Sequence, residues 1–209
     1  ELEHMGACVS NMLDACGTAI VSGTRSQLER IARMDDDVDR LHRAILDYLR
    51  ALGRKELTDA ESARLESLLA AANHLENAGD LISTNLVAQG LERIDKGLVF
   101  SPQTTQVATP LFEAVARNFS EAVHALVNGD APLAQAVADR KQEIYGMADR
   151  AMEHLSRRLM TDAPNRLEIF RAESDIIGQL RRLYYVAMTR ARQVRAQTGG
   201  GGRSAPAAS

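Results

Sequence analysis

Two pairs of acidic residues in this chain have the spacing of side chains on one helix face. Glu76 and Asp80 are four residues apart, and so are Asp35 and Asp39. Residues at i and i+4 are neighbours on a helix, so two carboxylates there repel each other unless something compensates. Oxygen-only ligand sets suit hard cations such as Mg²⁺, Mn²⁺, Ca²⁺ or iron. The spacing therefore predicts a shared site for a divalent or ferric metal ion.

The acidic run at residues 35–39 also has a simpler interpretation, since such runs are typical of a solvated turn of helix. The companion pair on a second helix favours the shared cation. Gly79 supports close packing there, because a glycine inside a helix costs about 1 kcal/mol relative to alanine. We therefore expect a neighbouring helix to approach Gly79 closely.

Asn73 and His42 each lie three residues from a member of an acidic pair, on the same helix face. Each could add a ligand or a hydrogen bond to a ligand. A polar residue at the rim of a helix is the equally simple alternative for both.

The elements that would carry these residues are helices. Strand-like alternation is hard to find, whereas apolar residues recur at helical spacing, as in Leu28, Ile31, Met34, Val38, Leu41, Ile45, Leu49 and Leu52. We predict an all-α fold in which Thr58 and Asp130 are N-caps. The breaks in the pattern predict six helices, near residues 2–22, 25–52, 58–93, 104–128, 130–160 and 164–197.

The second half of the pattern echoes the first at an offset of roughly 105 residues, which predicts two tandem three-helix bundles. We define repeat 1 as residues 1–97 and repeat 2 as residues 98–197. The glycine-rich end, residues 198–209, is predicted to be a disordered tail.

Composition excludes several functions. The net charge is −3, the pI is near 6.0, and no block of basic residues stands out, so nucleic acid is not an expected partner. No apolar run reaches about 18 residues, so we expect neither a membrane span nor a secretion signal. The chain begins at Glu1, not Met, which leaves open a membrane portion upstream.

Cys8 and Cys16 lie about 12 Å apart along one helix, too far for a disulfide, which fits a reducing cytoplasm.

The Glu76–Asp80 segment resembles the acid-x-x-Gly-acid helix signature of PhoU-type proteins, and the Asp35–Asp39 segment resembles its companion motif. The resemblance is closer to the PhoU-like cytoplasmic domain that follows the membrane part of bacterial Na⁺/phosphate cotransporter family proteins. It is carried by residues 39–45, 75–86, 100–101, 154–159 and 175–183. It implies a PhoU-like pair of three-helix bundles in which Asp35, Asp39, Glu76 and Asp80 hold the metal.

The resemblance also implies a role and partners. The role would be regulatory and not enzymatic, in phosphate transport or homeostasis, on the cytoplasmic side of the inner membrane. The partner would be the membrane transporter portion of the same protein or a phosphate transporter, and a homodimer stays open. A free-standing PhoU-type signalling adaptor is the leading alternative.

Repeat 2 departs from the two-site PhoU pattern. The position matching Glu76 falls near Arg181, and the position matching Asp80 falls near Tyr185. Repeat 2 is therefore predicted to lack a metal site. Asp139 and Glu143 form a half-motif, but Arg140, Lys141, Arg181 and Arg182 favour internal ion pairs there.

A minor alternative is an enzyme. Asp39-x-x-His42 and Glu121-x-x-His124 imitate the Glu-x-x-His elements of di-iron carboxylate bundles. Such sites add two further glutamates on a four-helix core, which two tandem three-helix bundles do not naturally supply.

Overall fold

The computed structural model describes the backbone of residues 1–160 and 164–200, and side chains up to residue 189 within those ranges. Its described part is helical, which confirms the all-α prediction. The helices are α1 (Leu2–Ser22), α2 (Arg25–Leu52), α3 (Asp59–Asp80), a π-helical segment (Leu81–Leu86), α4 (Val87–Asp95), α5 (Pro102–Asn128), α6 (Ala131–Asp139), α7 (Lys141–Leu159) and α8 (Arg166–Gly200).

These helical segments form the six predicted long helices, which we call rods. Two of the rods contain an internal irregularity. The third rod contains the π-helical segment between α3 and α4. The fifth is interrupted at Arg140, whose φ of −73° and ψ of 3° depart from α-helical values. The breaks predicted at residues 161–163 and the tail from residue 201 onward lie outside the described residues. The sixth rod continues past its predicted end at residue 197 to Gly200.

Side-chain caps fix where several helices begin. Thr24 and Thr58 each form a capping box with the residue three positions later, Gln27 and Glu61 respectively. Asp130 accepts a hydrogen bond from the Leu133 N–H at 2.9 Å, and it precedes α6. The N-caps predicted at Thr58 and Asp130 are therefore confirmed, and local sequence sets these helix starts.

A continuous hydrophobic core runs through both repeats. In repeat 1, α1 packs against α2 and α3; in repeat 2, α5 packs against α6, α7 and α8. The repeats meet where α1 packs against α5 and where α8 packs against α3, the π-helical segment and α4. The two repeats therefore share a core, and the boundary at residue 97 stays a prediction about sequence organisation.

Both cysteines lie on α1 and are free. Cys16 is fully buried, and burial raises the pKa of its thiol to about 12. Within residues 1–160 and 164–200, no helix has the length and apolarity needed to cross a membrane.

Candidate functional site

The four predicted carboxylates lie on two packed helices of repeat 1. Asp35 and Asp39 are on α2, and Glu76 and Asp80 are on α3. The two helices contact each other, with apolar residues such as Val38 and Leu75 buried between the helices of this repeat. We call Asp35, Asp39, Glu76 and Asp80 the acidic face.

Asp35 lies in the contact between the helices. Its side chain is half-buried, and its Oδ1 lies against Gly79. A Cβ atom added at Gly79 would stand 2.6 Å from Asp35 Oδ1 and 3.2 Å from Val38 Cγ1. The predicted close approach at Gly79 is therefore confirmed, and the absent side chain makes room for the carboxylate.

Ser83 contacts Asp35, and this contact was not predicted from the sequence. Its Oγ donates a hydrogen bond to Asp35 Oδ2 at 2.6 Å, which joins the π-helical segment to α2. The short distance is that of a charge-assisted bond to a carboxylate. Ser83 follows Asp80 by three residues and therefore shares its helix face, a spacing that could have indicated it.

The charges of the acidic face act on one another. Burial is the largest cause that raises the pKa of Asp35. The neighbouring charges of Asp39, Asp80 and Glu76 raise this pKa further. The hydrogen bond from Ser83 acts in the opposite direction, because it stabilises the ionised carboxylate. Asp39, Asp80 and Glu76 are therefore each close enough to Asp35 to disfavour its ionised form.

None of the salt bridges among the described side chains involves these four carboxylates. Repeat 1 thus concentrates negative charge at this place, and none of the described cationic side chains forms an ion pair with it. The donor atoms are all carboxylate oxygens, the type that hard cations prefer.

Their geometry is not that of a closed metal cage. Among the described residues, no three or more His, Cys, Asp or Glu side chains are gathered as metal ligands would be. The carboxylate oxygens suit a hard cation in type, but the described side chains do not gather around one position as metal ligands would. The metal site at Asp35, Asp39, Glu76 and Asp80 stays a prediction.

The two candidate additional ligands contact each other. His42 Nε2 and Asn73 Oδ1 are 2.9 Å apart, so this pair links α2 to α3 beside the acidic face. In the di-iron alternative, metal ligands would come from Asp39, His42, Glu121 and His124, but Glu121 forms an ion pair with Arg140. His42 and Glu121 are therefore each engaged by another side chain.

The corresponding region of repeat 2 is neutralised by its own arginines. Arg181 Nη1 lies 3.2 Å from Asp149 Oδ1, and its guanidinium stands 4.8 Å from the centroid of the Tyr145 ring. Internal ion pairs are present, as predicted, but their acids are Asp149 and Glu121. Asp139 instead accepts a hydrogen bond from Gln135.

Comparison with known proteins gives a family match in the first part of the chain and a shared fold along nearly all of it. Residues 2–89 match the family described as the PhoU domain. The crystal structure of PhoU from Pseudomonas aeruginosa superposes with a TM-score of 0.85, at 21% sequence identity, over 95% of this chain and 94% of that one. Residues 2–89 therefore match the PhoU domain in sequence, and nearly the whole chain shares the fold of that PhoU, which confirms the resemblance to PhoU-type proteins.

Particular relatives extend the match into the second half. The protein called putative inorganic phosphate export protein YjbB in Escherichia coli K12 is 23% identical over 188 residues, which is 88% of this chain. Its counterpart in Salmonella typhimurium LT2 is 24% identical over the same length. The chain spans about a third of the length of these curated relatives, since the match covers 34% of each.

Proposed function

We propose that this chain is a regulatory domain of the PhoU kind that acts in phosphate transport or homeostasis without catalysing a reaction. The observation that carries the proposal is the PhoU-like fold along nearly the whole chain, combined with relatives named for inorganic phosphate export. Its chemistry would be that of a binding surface, since the acidic face offers ligands for a cation.

In the more specific form of the proposal, the chain is the cytoplasmic domain of a Na⁺/phosphate cotransporter, held at the inner membrane. The support is the length of the relatives, because about two thirds of each lies outside the match. The membrane transporter portion of the same protein would then be its partner.

A free-standing adaptor that controls phosphate uptake is the second candidate. It is favoured by the comparison with PhoU from Pseudomonas aeruginosa, because this chain covers 94% of that one. The two candidates differ in what flanks the domain, so the full-length reading frame of the gene distinguishes them.

Asp35, Asp39, Glu76 and Asp80 would hold the cation proposed for the acidic face. A bound cation supplies positive charge that offsets the repulsion among them. It would also join α2 to α3, because each helix contributes two of the carboxylates. Partner contact would then depend on whether the cation is bound.

Thermal melting after chelation tests the cation. In metal-free protein, we expect added Mg²⁺, Mn²⁺, Ca²⁺ or Fe³⁺ to raise the Tm of the wild type, because a ligand that binds only the folded state stabilises it. The variant Glu76→Gln/Asp80→Asn should lose that increase. The control variant Asp36→Asn/Glu66→Gln removes two exposed acids from the same two helices and should keep it. Equal metal responses in the two variants would exclude the acidic face as the site.

Phosphate content tests the function itself. Cells that lack the gene should show altered intracellular phosphate, and the wild-type gene in its full reading frame should restore the normal level. Restoration by Glu76→Gln/Asp80→Asn would separate the phosphate role from the cation. An unchanged phosphate level in the deletion strain would contradict the proposed function.

A further inference from the structure

A largely apolar groove of about 580 Å³ opens beside the first residues of α1. Side chains at the start of α1 and from α2, α3 and α5 line it, and the charged ones among them are Glu1 and Glu3. Tyr48 of α2 is 64% exposed there. The apolar side chains of the groove include Leu2, Ala44, Ile45, Tyr48, Leu68 and Val127. A contiguous apolar surface of this kind is typical of an interaction site.

The groove lies where α2 extends past α1. Gly23 and Thr24 separate the two helices, which pack side by side and therefore run antiparallel. Since α1 has 21 residues and α2 has 28, α2 runs about 10 Å past the start of α1 at 1.5 Å per residue. α3 accompanies this overhang, because a Cβ added at Gly53 would stand 3.7 Å from Leu65 Cδ1. At Tyr48, two helices therefore pack where three pack in the rest of the repeat.

Local sequence signals do not define the beginning of α1. Glu1 occupies its N-cap position but makes no side-chain capping hydrogen bond. The second to fifth rods each begin with such a bond, at Thr24, Thr58, Ser101 and Asp130. The first turn of α1 is therefore compatible with a helix that continues upstream.

We propose that the polypeptide preceding residue 1 in the full-length protein continues α1 as a helix and packs into this groove. The inference rests on the more specific form of the proposed function, in which a membrane portion belongs to the same protein. About two thirds of the length of each relative lies outside the match, which is ample chain for such a segment. A segment joined to Glu1 is held beside the groove at a high effective concentration, which favours it over a free partner or a second copy of the chain.

The core-facing side of α1 specifies the chemistry of this segment. Leu2, Met5, Val9 and Met12 follow one helical spacing, and the last three are buried. The same spacing places further apolar residues roughly four and seven residues before Leu2, where they cover Tyr48. α1 packs against α2 of repeat 1 and α5 of repeat 2. A continuous helix therefore joins the membrane portion rigidly to both repeats.

Hydrogen–deuterium exchange tests the proposal on the chain with and without its upstream segment. One protein is the chain of 209 residues, and the other carries about fourteen further residues of its own reading frame, enough for roughly four helical turns. In peptides that cover residues 44–52, we expect exchange to be about tenfold slower in the extended protein. Burial of one large apolar side chain produces a change of that size in a local opening equilibrium.

Tyr48→Asp tests whether the groove is the place of this protection. In the extended protein, it should return exchange of the same peptides to the faster rate, because burying a carboxylate without a partner is costly. Tyr185→Asp makes the same change at a position of α8 that is 55% exposed, and it should keep the slower rate. Equal exchange in these two variants would place the segment elsewhere and overturn the proposal.

The remaining outcomes separate this inference from the proposal on which it rests. Equal exchange in the shorter and the extended protein would overturn this inference alone. Protection that grows with the concentration of the 209-residue chain would assign the groove to a second copy and overturn it too. A reading frame that begins within a few residues of Glu1 would overturn both this inference and the cotransporter form, whereas the phosphate measurement would still test the regulatory role.

Discussion

The two repeats differ in how the charges on two of their packed helices are arranged. In repeat 1, α2 and α3 bring four carboxylates together, and no salt bridge among the described side chains neutralises them. In repeat 2, Arg181 on α8 pairs with Asp149 on α7 and covers the Tyr145 ring. The two predicted repeats therefore differ in charge, since one gathers carboxylates and the other pairs its acid with arginine.

Packing at one equivalent position follows the same division. At the predicted offset of roughly 105 residues, Gly79 would correspond to Tyr184. Gly79 leaves space that the Asp35 carboxylate enters. Tyr184 is fully buried, and its ring meets that of Tyr145 edge to face at 6.0 Å between centroids. One repeat has room for a polar group where the other has a filled apolar core.

The largest effect on stability should come from removing the buried Tyr184 side chain. We expect Tyr184→Ala to lower the free energy of unfolding by about 3–5 kcal/mol, because it removes a fully buried ring and leaves a cavity. Urea unfolding measures the loss. Tyr185→Ala, at a position 55% exposed, is the control and should change stability by no more than about 0.5 kcal/mol. Similar losses in the two variants would show that Tyr184 does not fill the core of repeat 2.

Two glycine-to-alanine substitutions test whether the space beside Gly79 is required for the packing of Asp35. No heavy atom of the described residues lies within 4 Å of a Cβ added at Gly178 on α8, so Gly178→Ala should raise the unfolding free energy by about 0.5–1 kcal/mol. Gly79→Ala should lower it by about 1 kcal/mol or more, because its Cβ would collide with Asp35 and crowd Val38. Chemical denaturation of both variants gives the comparison. Stabilisation by Gly79→Ala equal to that by Gly178→Ala would mean that Asp35 moves away at no cost.

The charge of Asp35 should make repeat 1 sensitive to pH. Because the pKa of Asp35 is raised, the folded chain binds this proton more tightly than the unfolded chain does. The stability from this group is therefore greatest at acidic pH and falls as the pH rises through the unfolded and then the folded pKa. In the presence of chelator, Asp35→Asn should be more stable than the wild type at pH 7 by up to about 1 kcal/mol.

The advantage of Asp35→Asn should shrink as the pH falls, since the wild type then becomes neutral at this position too. Urea midpoints at a series of pH values measure the difference. Asp36→Asn, at an exposed position on the same helix, is the control. A constant difference across the series would assign the effect of Asp35→Asn to packing instead of charge.

The smallest effect is expected in the neutralised region. Arg181→Gln breaks an ion pair whose acid, Asp149, is 68% exposed, and also a contact with the Tyr145 ring. Such interactions contribute about 0.5–1 kcal/mol at exposed sites. Thermal melts at low and high salt measure the loss, and the exposed Arg182→Gln is the control. Identical melts for the two variants would indicate that Arg181 does not stabilise repeat 2.

The helices could be predicted because their signals are local. α1 and α2 have the predicted bounds, and the caps at Thr58 and Asp130 depend on neighbouring residues only. The π-helical segment and the interruption at Arg140 could not be predicted in the same way. Neither contains proline or glycine, and the contacts seen there, Ser83 with Asp35 and Arg140 with Glu121, join residues far apart in sequence.

The candidate site was predictable in part for the same reason. Helical spacing indicated Glu76 and Asp80 as one pair, and the cost of Gly79 indicated a close neighbour, which proved to be Asp35. Spacing alone could not show that Ser83 holds Asp35, since that contact depends on how α2 lies against the third rod. In repeat 2, composition indicated ion pairs, but only the packing of α5, α7 and α8 selects their partners.

Cys16 is a natural probe of local opening, because the rate at which its thiol is alkylated depends on exposure of α1. Its thiol is buried on α1, the helix that packs against both α2 and α5, and its pKa of about 12 leaves almost no reactive thiolate near neutrality. Alkylation of Cys16 therefore requires that α1 detach, whereas the half-buried Cys8 on the same helix provides an internal reference. The ratio of the two labelling rates therefore measures, in the wild-type chain, how often α1 opens away from the helices that cover it.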